Sequence, residues 1–206
     1  MIEVTPKEGA RNVVTVTVDG EYCFDLHTFV FGKNPSLPQH YTSIEEFTQQ
    51  LQEIEHSRAK AFAYKKLAQK NLSSFEMVEI LKTHLISNAV INHILDDCQR
   101  LGYINDEIWL ESFTNGLISR KYGPDVICQK LVMKGVDREE AKETIAKFFS
   151  AEDQQEKLKK LISTRYGRRD LSIYKEKQKV IGALVRKGFH FQEIISAMNL
   201  KNTDDF

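Results

Sequence analysis

A chain of 206 residues with 41% hydrophobic and 28% charged side chains has the composition of a folded protein, either one domain or a small array of packed units. Its 29 basic and 29 acidic residues cancel, which excludes a uniformly basic nucleic-acid coat and a long acidic tail. No run approaches the roughly 18 apolar residues of a membrane span, residues 1–10 lack a signal peptide's apolar stretch, and Cys23, Cys98 and Cys128 are too scattered for a disulfide scaffold or a zinc site.

These features predict a soluble cytoplasmic protein with reduced thiols. The front of the chain reads as strand. Val14, Val16 and Val18 alternate with Thr15 and Thr17, and beyond Asp19-Gly20 the alternation resumes in Tyr22, Phe24 and Leu26. An Asp-Gly pair between period-two runs is a strong hairpin signal, because a tight type I′ turn needs positive φ at both central residues. A lone hairpin is marginal in water, so it must extend its sheet or pack on something else; Thr28–Phe31 is the expected third strand. Gly32, Pro35 and Pro38 then mark a loop.

From Ser43 the period becomes helical. Ser43 with Glu46 forms a capping box opening a helix to about Lys70, and Ser73 with Glu76 opens another ending near Leu85. Ser87 is the expected cap of a helix that stops at Gly102, and Asn105 or Asp106 caps the next. Pro124 suits the first turn of a helix that Gly135 ends, and Asp137 with Glu140 makes a further box.

The chain also repeats itself. Leu117-Ile118-Ser119-Arg120-Lys121-Tyr122-Gly123 returns as Leu161-Ile162-Ser163-Thr164-Arg165-Tyr166-Gly167, and Leu131-Val132-Met133-Lys134-Gly135-Val136 returns as Leu184-Val185-Arg186-Lys187-Gly188-Phe189. A fainter copy places Leu81 to Ile86 against Leu131 to Val136. Two ordered matches per copy predict tandem three-helix units that make a continuous core by stacking. The expected architecture is mainly α, an elongated curved array with a small N-terminal β-hairpin extension. Its parts are the extension over 1–42, a linker helix and first repeat over 43–104, a second repeat over 105–149, a third over 150–200, and a tail over 201–206.

The zero net charge hides an asymmetry. Residues 1–57 hold 3 basic and 9 acidic side chains, whereas Lys157 to Lys201 holds 12 basic against 3 acidic. Arg165, Arg168 and Arg169, followed by Arg186 and Lys187, gather where helices meet loops. Cations at a helix C-terminus complement its dipole, but this many together point to phosphate or carboxylate contact. Motifs of catalysis are missing: there is no phosphate loop, GxGxxG turn, HExxH or GxSxG elbow, and the six histidines show no ligand spacing. Trp109 and Phe113, four apart on one helical face, read as core. A non-enzyme without cofactor or metal is expected.

At Gly102-Tyr103-Ile104-Asn105-Asp106-Glu107 the chain resembles the RecX recombination regulators, whose signature is usually written GYIDDE. Tyr122-Gly123-Pro124, Leu131, Lys134-Gly135-Val136, Gln178-Lys179-Val180 and Leu184 to Phe189 resemble that family's second and third repeats. Departures are present: Ile108-Trp109-Leu110 and Asn115-Gly116-Leu117 stand where many members carry arginines, and His84-Leu85 replaces the Lys-Gly pair. The resemblance implies a monomeric, non-enzymatic modulator of RecA that binds the RecA–single-stranded-DNA filament along its groove and opposes its growth or ATPase cycle. Arg165, Arg168, Arg169, Arg186 and Lys187 are then the candidate contacts to filament DNA or to an acidic RecA surface. Two rival functions remain: an independent nucleic-acid-binding helical protein unconnected to RecA, and a scaffold whose repeats bind another protein. Zero net charge weighs against the former.

Overall fold

A computed structural model describes residues 1–149 and 151–198, with the backbone alone at 151–153. The expected tail over 201–206 and the final residues of the expected third repeat lie outside the described residues. The chain divides into two compact units, Met1–Trp109 and Leu110–Phe206.

In the first unit, β1 (Ile2–Pro6), β2 (Val13–Val18) and β3 (Glu21–His27) form an antiparallel sheet in that order. Val14, Val16 and Val18 are buried while Thr15 and Thr17 are half-buried, the alternation that period-two patterning demands. Asp19 and Gly20 hold φ of 51° and 83°, both left-handed, as a two-residue turn matched to strand twist requires. Val16 pairs with Val4 on one side and Phe24 on the other, and Thr17 then pairs with Tyr22, so Cys23 is the extra residue of a bulge.

Thr28–Phe31 departs from the expected strand. It forms α1, a single turn capped by the His27 ring, whose Nδ1 accepts the Phe29 N–H at 3.2 Å. Gly32 ends it with a φ of 83°, its own N–H bonded to Thr28 O at 2.9 Å. The third strand is β1, where Ile2 and Val4 alternate with Glu3 and Thr5 against the far side of β2.

Helix α2 (Ile44–Leu67) begins at Ser43, whose Oγ accepts the Glu46 N–H at 3.3 Å. The Glu46 carboxylate reaches back one residue further and accepts both the N–H and the hydroxyl of Thr42 at 2.7 Å. Phe47, fully buried near the start of α2, stacks on Phe24 of the sheet at 5.9 Å and meets the edge of Tyr41 at 4.9 Å. Ser73 caps α3 (Ser74–Thr83) through the Glu76 N–H at 3.1 Å. Ser87 precedes α4 (Asn88–Arg100) without capping it; its N–H and hydroxyl both donate to the Glu55 carboxylate, at 2.8 and 2.7 Å. Val14, Val16 and Leu26 of the sheet share one core with Ala59 and Ala63 of α2, Met77 and Leu81 of α3, and Ile91 and Ile94 of α4. The sheet is therefore seated on the helices, which supplies the packing that a hairpin lacks by itself.

Asn105 opens α5 (Asp106–Ser119), its Oδ1 accepting the Ile108 N–H at 3.0 Å, while Asp106 accepts from the Ser74 N–H at 2.8 Å. Trp109 is 4% exposed and Phe113 half-buried, in keeping with core roles, whereas Tyr103 is exposed with its ring against Tyr64. The second unit continues with α6 (Pro124–Val132), α7 (Arg138–Phe148), α8 (Ala151–Tyr166), α9 (Tyr174–Arg186) and α10 (Phe191–Ala197). Pro124 stands in the first turn of α6, and the Asp137 carboxylate accepts the Glu139 and Glu140 N–H groups at 2.8 and 3.4 Å to cap α7. Leu158, Leu161 and Ile162 of α8, Val180, Ile181 and Leu184 of α9, and Ile194 and Ile195 of α10 form one buried cluster.

The repeated string has a structural meaning. Leu81, Leu131 and Leu184 are each fully buried, and their carbonyls accept the N–H of Ile86, Val136 and Phe189 at 3.1, 3.2 and 3.2 Å. This six-to-one bond closes a Schellman turn, which needs a left-handed residue just before the donor. Gly135 and Gly188 supply it with φ of 83° and 89°; in the first copy Leu85 takes it with φ 61°, a conformation costing a side-chain-bearing residue about 1–2 kcal/mol.

Candidate functional site

The five candidate residues lie around the end of α8, the loop after it and the end of α9. Arg165 is exposed in the last turn of α8, and Arg168 is exposed in the loop. That loop is shaped by Asp170, whose carboxylate accepts the Ser172 N–H at 2.9 Å and its hydroxyl at 2.6 Å. Those bonds hold the Asp170 carboxyl below its ordinary range. Arg169 is also exposed, but its guanidinium donates to Glu176 at 2.6 Å, and Lys179 donates to the same carboxylate at 2.7 Å. Lys179 first and Arg169 second depress the Glu176 pKa. Arg169 thus presents a partly neutralised charge.

Arg186 is exposed at the end of α9, whereas Lys187 is half-buried and turned to structural use. Its ammonium donates to the carbonyls of Arg120 and Lys121 at 3.4 and 3.3 Å, just beyond the end of α5. The same ammonium stands 5.2 Å from the centre of the Tyr122 ring, which Lys130 flanks at 5.1 Å. Burial, and then the charge of Arg165, lower the Lys187 pKa. Carbonyls at a helix end are poorly satisfied and carry negative partial charge, so an ammonium placed there is stabilising.

This contact depends on two glycines. The Gly123 N–H donates to Lys187 O at 2.7 Å, and the Asp125 N–H donates to Gly188 O at 3.2 Å. A β-carbon at Gly123 would lie 2.3 Å from Gly188 O, so only glycine admits so close an approach of two backbones. Sequence reading marked the Tyr-Gly string as a repeat but missed this clasp, because Gly123 and Gly188 are far apart in the chain. It also missed Lys130, for which the sole cue was an aromatic residue beside a basic helix.

Among the described residues no group of His, Cys, Asp and Glu is placed to hold a metal ion, and no helix is long and apolar enough to cross a membrane. Cys23, Cys98 and Cys128 are free thiols. The arrangement is one of exposed guanidiniums carried on packed helices, suited to gripping an anionic surface.

Comparison with known proteins bears directly on this arrangement. Residues 152–198, which take in most of α8 and all of α9 and α10, match the family described as RecX, third three-helix domain. The regulatory protein RecX of Staphylococcus carnosus is 31% identical over 153 residues, covering 72% of this chain and 56% of that protein. The regulatory protein RecX of Caldanaerobacter subterraneus is 26% identical over 187 residues, covering 90% of this chain and 91% of that one. The chain belongs to the RecX family. It spans little more than half the length of the staphylococcal member and nearly all of the Caldanaerobacter one. The fold agrees. A crystal structure of regulatory protein RecX superposes with a TM-score of 0.62 at 20% identity, covering 96% of this chain and 98% of the other. RecX from Lactobacillus salivarius gives 0.59 at 23%, covering 70% and 95%. Helical repeats preceded by a small sheet are thus the architecture of this family member, and its named relatives are regulatory proteins.

Proposed function

We propose that this RecX-family chain binds the RecA–single-stranded-DNA filament and restrains its growth and ATPase cycle. The observation that carries the reading is the exposed arginine group of Arg165, Arg168 and Arg186, with Arg169 half-neutralised beside it, on a family member whose overall charge is zero. Planar guanidiniums bind phosphate or carboxylate through paired hydrogen bonds, so these residues are the proposed contacts to filament DNA or to an acidic RecA face. Lys187, spent on the Arg120 and Lys121 carbonyls, holds the surface together. In this reading the linker helix and first repeat over 43–104, with the repeats over 105–149 and 150–200, lie along the filament as one cytoplasmic monomer. There they obstruct the addition of the next protomer or the motion that accompanies ATP turnover. No catalytic step and no cofactor is involved.

The test is titration into RecA from the same organism, following single-stranded-DNA-dependent ATP hydrolysis at physiological salt. Inhibition is expected at a ratio to RecA well below one. Replacing Arg165, Arg168 and Arg169 together by glutamate should weaken filament binding while leaving the circular dichroism intact. An unchanged ATPase up to equimolar protein overturns the reading. Tight, steeply salt-dependent binding to bare DNA would put an independent nucleic-acid-binding function in its place.

A further inference from the structure

A second surface of opposite construction lies wholly within the first unit. Between α1 and α2 runs a groove of about 380 Å³, with Val30, Ala61 and Phe62 along it and Phe29 at its side. Phe29 is 65% exposed and adds its ring to the apolar lining of this groove. Arg58, Lys65 and Lys66 line the same groove. Among the described residues these three cations enter no ion pair, although Lys60 and Lys70 nearby on the chain are paired with Asp97 and Glu76. Arg58, Lys65 and Lys66 thus gather unneutralised positive charge directly behind the acidic first 57 residues.

The geometry points to an acidic peptide segment of a partner protein, anchored by one bulky apolar side chain. Ala61 is the smallest side chain in the lining and leaves a notch there, and the groove is open rather than enclosed, which suits a side chain laid in from a peptide better than a cofactor buried over most of its surface. Arg58 and Lys65 are seven residues apart on α2, about 10.5 Å along the axis. In an extended peptide positions i, i+2 and i+4 share one face, with i and i+4 about 13 Å apart. Carboxylates at i and i+4 would therefore reach the two long, flexible cations while the side chain at i+2 enters the notch. Arg58 offers the fork that a carboxylate accepts in paired fashion, and the Lys66 ammonium sits 5.1 Å over the Phe62 ring, close to the same point.

Nucleic acid fits this groove less well. Strand binding without sequence preference uses successive aromatic platforms on a continuous basic track. Here the Phe62 ring is engaged by Lys66 at 5.1 Å and by the His84 ring at 4.6 Å, and the Phe29 ring meets His27 at 5.1 Å and His84 at 6.2 Å, which leaves no succession of open platforms. The assignment does not rest on the RecA reading, since every residue in it belongs to the first unit and none to the arginine group of α8 and α9.

The experiment is fluorescence anisotropy of the intact protein with a labelled nine-residue peptide carrying a central tryptophan flanked by aspartates and glutamates. A peptide with alanine at the centre and a labelled oligothymidylate serve as controls. Saturable binding is expected, weakened about tenfold or more by the alanine peptide, by Arg58→Glu with Lys65→Glu, and by Ala61→Trp. The last fills the notch without changing charge. Arg58, Ala61 and Lys65 are all exposed, so these variants keep the fold, and circular dichroism checks it. Absence of saturation up to roughly 1 mM peptide, undiminished binding to Ala61→Trp, or displacement of the peptide by oligothymidylate would each overturn the proposal.

Discussion

The clasp between Gly123 and Gly188 allows a sharp test of how the second unit is held together. In Gly123→Ala the new β-carbon would stand 2.3 Å from Gly188 O, 2.5 Å from its carbonyl carbon and 2.7 Å from Phe189 N. All three neighbours are backbone atoms, so no side-chain rotation relieves the clash. The two segments must part by about 0.7 Å to reach the 3.0 Å floor of real contacts. That movement stretches the hydrogen bonds from Gly123 to Lys187 and from Asp125 to Gly188, now 2.7 and 3.2 Å, to or beyond their limit. Each is worth about 0.5–1.5 kcal/mol, and overpacking adds about 1–3 kcal/mol. Allowing for partial relaxation, the expected loss is about 2–4 kcal/mol. Urea denaturation followed by far-ultraviolet circular dichroism should show the midpoint falling by about 1–2 M. Gly116→Ala is the control: it lies within α5, where a β-carbon meets nothing within 4 Å, and alanine there should gain up to about 1 kcal/mol through helix propensity. A Gly123→Ala protein within about 0.5 kcal/mol of the parent would refute the reasoning.

Further expectations follow from the same geometry. Lys187→Met should cost roughly 1 kcal/mol by leaving the Arg120 and Lys121 carbonyls unpaired, whereas Arg168→Glu, on an exposed loop, should leave the denaturation curve within about 0.5 kcal/mol of the parent; equal effects would contradict the division of roles. The His27 pKa is lowered by burial and then by His84, so the unfolded chain takes up a proton before the native one does. Stability should be fully present above about pH 6.5 and decline as the pH falls through that value toward the native pKa. His27→Asn, which still caps the Phe29 N–H, should flatten that part of the stability profile. Asp97 is bonded by Lys60 and then Arg100, which bring its pKa to about 2. Its contribution should persist above pH 4 and disappear as the pH drops toward 2, and Asp97→Asn should melt below the parent at pH 7 but not near pH 2.

The legible parts of this fold were those written locally. Asp19-Gly20 announced the hairpin because few other pairs take two successive left-handed residues, and Ser43, Ser73 and Asp137 announced helices because each cap lies within three residues of the N–H it accepts. Where the partner is distant, local signals mislead. Ser87 has the spacing of a cap, yet its hydroxyl serves Glu55, 32 residues earlier. Thr28–Phe31 misleads for a local reason instead: it has the composition of a strand, but the adjacent His27 ring and Gly32 close it into one turn. β1 carries a faint alternation and ends in Pro6, a residue that suits only a sheet edge, and this is where β1 lies. The arginines of α8 and α9 could be picked out by charge density alone; that Lys187 differs from them could not, since its acceptors lie 66 and 67 residues away.

The departure of the first repeat from the others has a physical logic of its own. Counting three residues beyond the buried leucine, the third copy has Lys187 and the first has His84. Lys187 uses its ammonium to fasten the end of α9 to the carbonyls beyond α5. His84 instead donates from Nδ1 to Ile80 O at 2.7 Å, and lays its ring against Phe62 of α2 at 4.6 Å, His27 of β3 at 4.5 Å and Phe29 of α1 at 6.2 Å. A lysine there would bring a charge into an aromatic cluster that includes the partly buried His27. The first copy thus trades an ammonium-to-carbonyl tie for a ring that packs the sheet onto the helices. The position retains one role, joining a helix end to the element beside it, while the chemistry changes with the neighbour it has to hold.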